Sequence, residues 1–148
     1  MKPALLPAAL LLGLALGGAS AAPAAPSAAP QAKTGAQAQA GEAMVAYRLA
    51  LKVRNGEGMP ADPARAVALL TVAAEGGVPA AMFVLSNMLA AGEGAPPDAA
   101  AARRWLETAA EREYPEALQQ LALTETDPRK AELLMRQAAH AMTHRVRD

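Results

Sequence analysis

The sequence predicts an all-α protein, a short α-solenoid of antiparallel helix pairs with two full repeats and one shortened repeat. Three observations carry that prediction. The first is a pattern that recurs at a fixed spacing. Leu49, Gly56, Gly58, Asp62, Ala66, Ala73, Ala74 and Pro79 return 36 residues later as Leu85, Gly92, Gly94, Asp98, Ala102, Ala109, Ala110 and Pro115. A period in this range marks small units that cannot bury their apolar face alone and must stack. The second is a damaged third copy. Asp127, Ala131, Ala138 and Ala139 keep the internal spacing of Asp98, Ala102, Ala109 and Ala110 but follow at an offset of 29, so seven residues holding the two glycines are missing. Ala117 and Leu121 still match Ala81 and Leu85 at the full offset. The third is an apolar stripe of helical period in the second helix of every unit.

The elements follow in order. Lys2 precedes an Ala/Leu run from Ala4 to Leu16, and Ala19-Ser20-Ala21 supplies the small-x-small pattern of a signal peptidase site, so residues 1–21 are expected to be a signal peptide cut after Ala21. A retained anchor is the competing reading, although a span takes ~20 apolar residues and prolines follow at 23, 26 and 30. No Cys follows the run, which excludes a lipoprotein anchor. Residues 22–41 hold Ala, Pro, Gln, Ser, Thr and Gly with one charge at Lys33 and no large apolar side chain, so they are expected to form a disordered tether. The repeat domain is then 42–148.

Within the repeats, the first helices carry Val45, Leu49 and Val53, then Ala81, Leu85 and Leu89. The second helices carry Ala66, Leu69, Leu70, Ala73 and Ala74; then Ala102, Trp105, Leu106, Ala109 and Ala110; then Ala131, Leu134, Met135, Ala138 and Ala139. Each set sits at i, i+3, i+4, i+7 and i+8. Asp62, Asp98 and Asp127 stand where a carboxylate caps free first-turn amides. Pro63 and Pro128 follow at the first helical position, and Gly76-Gly77 supplies a stop. Trp105 lies on the stripe and is expected in the core.

Order and spacing together resemble the Sel-one-like repeat, a relative of the tetratricopeptide repeat, over roughly Glu42 to Met142. Ala50, Ser86 and Ala122 replace the family's usual glycine after the leucine, and Val53 and Leu89 replace its aromatic. The resemblance implies a right-handed superhelix used as a protein-binding scaffold or adaptor without catalysis of its own. Some exported members are disulfide-rich and linked to β-lactam binding, but this chain has no cysteine.

The chemistry visible in the residues is sparse. From Glu42 on, twelve Lys/Arg face fourteen Asp/Glu, which lacks the basic footprint of a nucleic-acid binder. Gly56-Glu57-Gly58 and Gly92-Glu93-Gly94 lack the strand and Gly-Lys-Ser/Thr of a phosphate loop and are expected to be turns. His140 and His144 share a helix face with Glu132 and Arg136, where an arginine opposes a cation and no third ligand is evident. No metal, cofactor or catalytic set is expected. Arg103–Glu107 and Glu132–Arg136 read as surface pairs of adjacent turns.

By analogy with related solenoids, a partner surface is expected along the first helices: Arg48, Leu51 and Lys52, then Val84, Asn87 and Met88, then Gln120 and Leu123. Their mix of apolar and amide groups suits an extended or helical segment of a protein partner. The expected role is an exported, periplasmic or secreted interaction scaffold, with no nucleic acid and no stable membrane insertion after cleavage. Its rivals are a periplasmic β-lactam-linked enzyme or ligand-binding protein and a structural subunit of an envelope or polysaccharide-export assembly.

Overall fold

A computed structural model describes residues 29–145 of the chain. The expected signal peptide and the first part of the tether lie outside the described residues. Six helices follow one another: α1 (Ala29–Asn55), α2 (Pro63–Glu75), α3 (Pro79–Ala91), α4 (Ala99–Glu111), α5 (Pro115–Thr124) and α6 (Pro128–Arg145). They pair as α1–α2, α3–α4 and α5–α6, and the hairpins stack through α2 on α3 and α4 on α5. This is the all-α solenoid expected, with the third hairpin shortened.

The helix starts obey capping chemistry. Asp62 Oδ1 accepts from Arg65 N at 2.9 Å, and Asp98 Oδ1 accepts from Ala101 N at 2.8 Å. Asp127 Oδ1 accepts from Arg129 N at 2.9 Å. Each cap satisfies an amide that the helix itself leaves free, an effect of ~1 kcal/mol. The loops repeat bond for bond. Glu57 N donates to Lys52 O and Asp62 N to Val53 O, and one unit later Glu93 N donates to Met88 O and Asp98 N to Leu89 O.

One boundary differs from expectation. Residues 29–41, assigned to a disordered tether, are the first half of α1. Without large apolar residues this stretch has little to bury, and residues 36–42 are exposed. That absence does not forbid a helix. Nucleation is the costly step, and a helix already packed from Ala43 onward extends mainly through alanine and glutamine, with Gly35 and Gly41 each costing about 1 kcal/mol relative to alanine. Pro30 falls in the first turn, where no intrahelical amide is needed.

The core is built from small residues in contact with a few large ones. Ala50, Ala66, Ala73, Ala74, Ala81, Ala109 and Ala117 are fully or almost fully buried, and Leu70, Met82, Leu85, Met88 and Val53 are the largest side chains completely enclosed. Alanine lets neighbouring helix backbones approach, while each enclosed Leu or Met contributes roughly 1.5–3 kcal/mol. Trp105 is half-buried against this core. Two expected stripes fail at the ends of the array. Val45 is 64% exposed, and on α6 only Ala138 is buried. Both lie where no neighbouring unit covers them among the described residues.

Glycine explains how the units close on each other. Gly94 (φ 78°) lies against the first turn of α2, where an added Cβ would collide with the carbonyl of Pro63. Its counterpart Gly58 (φ 73°) faces open space among the described residues.

Candidate functional site

The first-helix row divides in the structure. Arg48 and Lys52 are exposed, Leu51, Val84, Asn87 and Gln120 are half-buried, and Leu123 is 77% exposed. Asn87 Oδ1 accepts from Gln120 Nε2 at 3.1 Å, so two expected site residues are spent on each other across a unit junction. Met88 does not belong to any surface. It is 0% exposed and part of the core cluster. Its counterparts Lys52 and Thr124 are exposed in the end units, whereas the central hairpin is covered from both sides. The row is therefore not a continuous exposed surface: Met88 interrupts it and Asn87 and Gln120 satisfy each other.

A better-formed concavity lies elsewhere. A groove of about 620 Å³ runs between α4, α5 and α6. Its floor is Ala110, Leu118, Leu121 and Leu134. One wall carries Arg103, Glu107 and Glu111 from α4, with Glu113 from the following turn; the other carries Lys130, Arg136, Gln137 and His140 from α6, with Glu125 at the base.

Repeat register explains why the space opens here. Leu134, on the groove floor, takes the place that Trp105 takes one unit earlier, so a smaller side chain stands here. No reading of single residues would find this groove; the signal is the exchange of Trp for Leu at one repeat position.

Most charges at the rim are already neutralised. Arg103 bonds Glu107 at 2.6 Å, Lys130 bonds Glu125 at 2.7 Å, and Arg136 bonds Glu132 at 2.6 Å. The Lys130 ammonium, followed by the backbone amide of Asp127, holds the Glu125 carboxyl below its ordinary value. Among the described residues, Glu111 and Glu113 have no ion-pair partner. His140 packs edge-on against His144 with ring centroids 4.4 Å apart.

Glu113 is also the one described non-glycine residue with positive φ, at 56°. It stands at the repeat position of Gly77 (φ 88°), and both residues donate their amide to the same carbonyl position, Ala110 O and Ala74 O, at 2.9 Å. A side chain in the left-handed region costs of order 1 kcal/mol. The turn accepts that strain and presents its carboxylate to the groove.

The end of α6 is fastened beside it. Arg145 Nη1 donates to Glu116 Oε1 at 2.8 Å and its guanidinium lies 5.3 Å from the centre of the Tyr114 ring. Tyr114 in turn packs on Phe83 at 5.5 Å between ring centroids.

Comparison with known proteins agrees with this architecture. A Sel1 repeat model matches residues 43–78, 79–114 and 117–141, the third copy being the short one. Among solved structures, a Sel1 repeat protein from Oxalobacter formigenes superposes with a TM-score of 0.65 at 24% identity, over 67% of this chain and 43% of that one. A protective antigen of uropathogenic Escherichia coli with an SLR fold gives a TM-score of 0.63 at 30% identity, over 74% of this chain and 26% of that one. The chain thus spans less than half the length of either structure. No curated protein matches it. Three consecutive copies over most of the described residues are decisive: the protein belongs to the Sel1 repeat family, whose stacked hairpins serve as protein-interaction scaffolds.

Proposed function

We propose that this chain is an exported, non-catalytic adaptor that holds a segment of a partner protein in the groove between α4, α5 and α6. Sel1 repeat proteins are generally scaffolds rather than enzymes, which supports the first half of the reading. The observation that carries the second half is the pairing of an apolar floor with two carboxylates, Glu111 and Glu113, that have no ion-pair partner among the described residues. Apolar floors give affinity by excluding water, and a few placed polar groups fix orientation. The fitting occupant is a helical or extended segment with apolar anchors and a Lys or Arg at the Glu111/Glu113 end. The leader-like residues 1–21 support export to the periplasm or beyond. Among the described residues no helix is long and apolar enough to cross a membrane.

The test uses a photocrosslinking residue at Gln137, an exposed position on the groove wall. In living cells it is expected to trap a discrete protein adduct that disappears when Glu111 and Glu113 are changed to Lys. An adduct indifferent to that charge reversal, or one formed from Leu123 and not from Gln137, would remove the groove assignment. N-terminal sequencing of the protein from the periplasmic fraction tests export; an intact Met1 in the cytoplasm overturns it.

A further inference from the structure

The two ends of the solenoid share a property unusual for a repeat array. Terminal units ordinarily present polar outer faces, because nothing covers them. Here both ends are apolar. On α6, Met135 and Met142 are exposed and Ala139 lies beside them on one stripe. On α1, Met44 and Val45 are exposed.

Repeat register identifies these faces. Met135 occupies the position of Leu70 and Leu106, which are 0% and 6% exposed because the following unit covers them, whereas Met135 is 45% exposed. Ala139 takes the place of Ala74, which is 1% exposed, and of Ala110, which is half-buried. Val45 occupies the position of Ala81 and Ala117, both fully enclosed where a preceding unit lies against them. The C-terminal end is therefore the donor half of an internal junction, and the N-terminal end is the acceptor half. Inside the chain these halves meet twice, as α2 on α3 and α4 on α5, and they form one continuous core.

We infer that the chain associates head to tail with a second copy of itself, α6 of one molecule packing on α1 of the next as α4 packs on α5. The occupant is specified by continuity with the internal junctions: the surface carrying the complementary register is the other end of the same chain. Such contact is heterologous, so each molecule keeps one free end and association continues to higher species unless it closes into a ring. The inference is independent of the partner groove, since neither Val45 nor Met135 lines it. Stacking would place successive grooves along one array and raise their effective concentration for a partner with repeated segments.

Sedimentation velocity of the purified chain over a wide concentration range tests this. The unsubstituted chain is expected to form dimers and larger species that grow with concentration. Val45→Glu and Met135→Glu are each expected to sediment as monomers, with helical circular dichroism retained because both sites are exposed. Mixed together, the two variants are expected to form a dimer and nothing larger, since one keeps an intact tail and the other an intact head. Val45→Ser and Met135→Ser repeat the test should either glutamate variant lose its helicity. A chain that is monomeric throughout, self-association untouched by both substitutions, or a mixture that stays monomeric would each overturn the inference.

Discussion

Arg54 at the end of α1 grips Glu93 in the loop of the next unit through two parallel bonds, Nε to Oε1 and Nη2 to Oε2, each 2.7 Å long. The planar fork matches the carboxylate edge, so the pair fixes the angle between units as well as their separation. It acts beside Gly94, where the same loop meets the backbone of Pro63.

The Arg54 guanidinium, chiefly through its hydrogen bonds, holds the Glu93 carboxyl below its ordinary value. A depressed acid stabilises the fold above the unfolded carboxylate value of about 4.3, and that contribution disappears as pH falls through the lower folded value. Both side chains are about one third exposed, so solvent screening limits the effect to roughly 0.5–1 kcal/mol. Glu93→Gln should lower stability by that amount at neutral pH and flatten the acid limb below pH ~4.3. Urea denaturation at neutral and acid pH measures both; an unchanged acid limb would show the pair to be irrelevant to it.

Gly58 and Gly94 offer an internal control for the inter-unit approach. Both have positive φ, so alanine at either should cost about 1 kcal/mol in backbone strain. Only Gly94 faces the Pro63 carbonyl, so Gly94→Ala must also push two units apart, at a further cost of about 1–3 kcal/mol. Equal losses in paired urea melts would mean the loops do not set the spacing of the units.

Met88 and Leu123 were both expected on the first-helix surface, and they should now respond in opposite ways. Met88→Glu places a charge in the core with no partner and should cost about 4 kcal/mol or more. Leu123→Glu sits in solvent and should stay within about 0.5 kcal/mol. Thermal melts of the two variants decide this directly. A partner-binding defect in a Met88 variant therefore reports unfolding, and of the two only Leu123 tests the row.

The contrast shows what the sequence could convey. Period, caps and turns were legible because each depends on residues close in the chain: Asp62 and Asp98 cap where expected, and the Arg103–Glu107 and Glu132–Arg136 pairs form. Burial across units was not, because it depends on whether a neighbour exists. Val45 and Met135 read as stripe positions yet are exposed at the two ends of the described array, while Met88 reads as surface yet is enclosed by units on both sides. The groove was hidden for a related reason. Leu134 is a conventional stripe residue, and only beside Trp105 does its smaller size become apparent.

Glu113 links stability to the proposed site. Its left-handed conformation stands where the preceding unit uses Gly77, so Glu113→Gly should relieve strain and raise stability by about 0.5–1 kcal/mol. The same change removes one of these two carboxylates from the groove rim and should weaken the adduct formed from Gln137. Glu113→Asn separates the two effects, since asparagine tolerates the conformation but carries no charge. Both variants should lose adduct, with glycine the more stable of the two by urea denaturation. A gain in stability with full retention of the adduct would mean that the strained carboxylate has no part in recognition, leaving Glu111 as the sole anionic anchor of the groove.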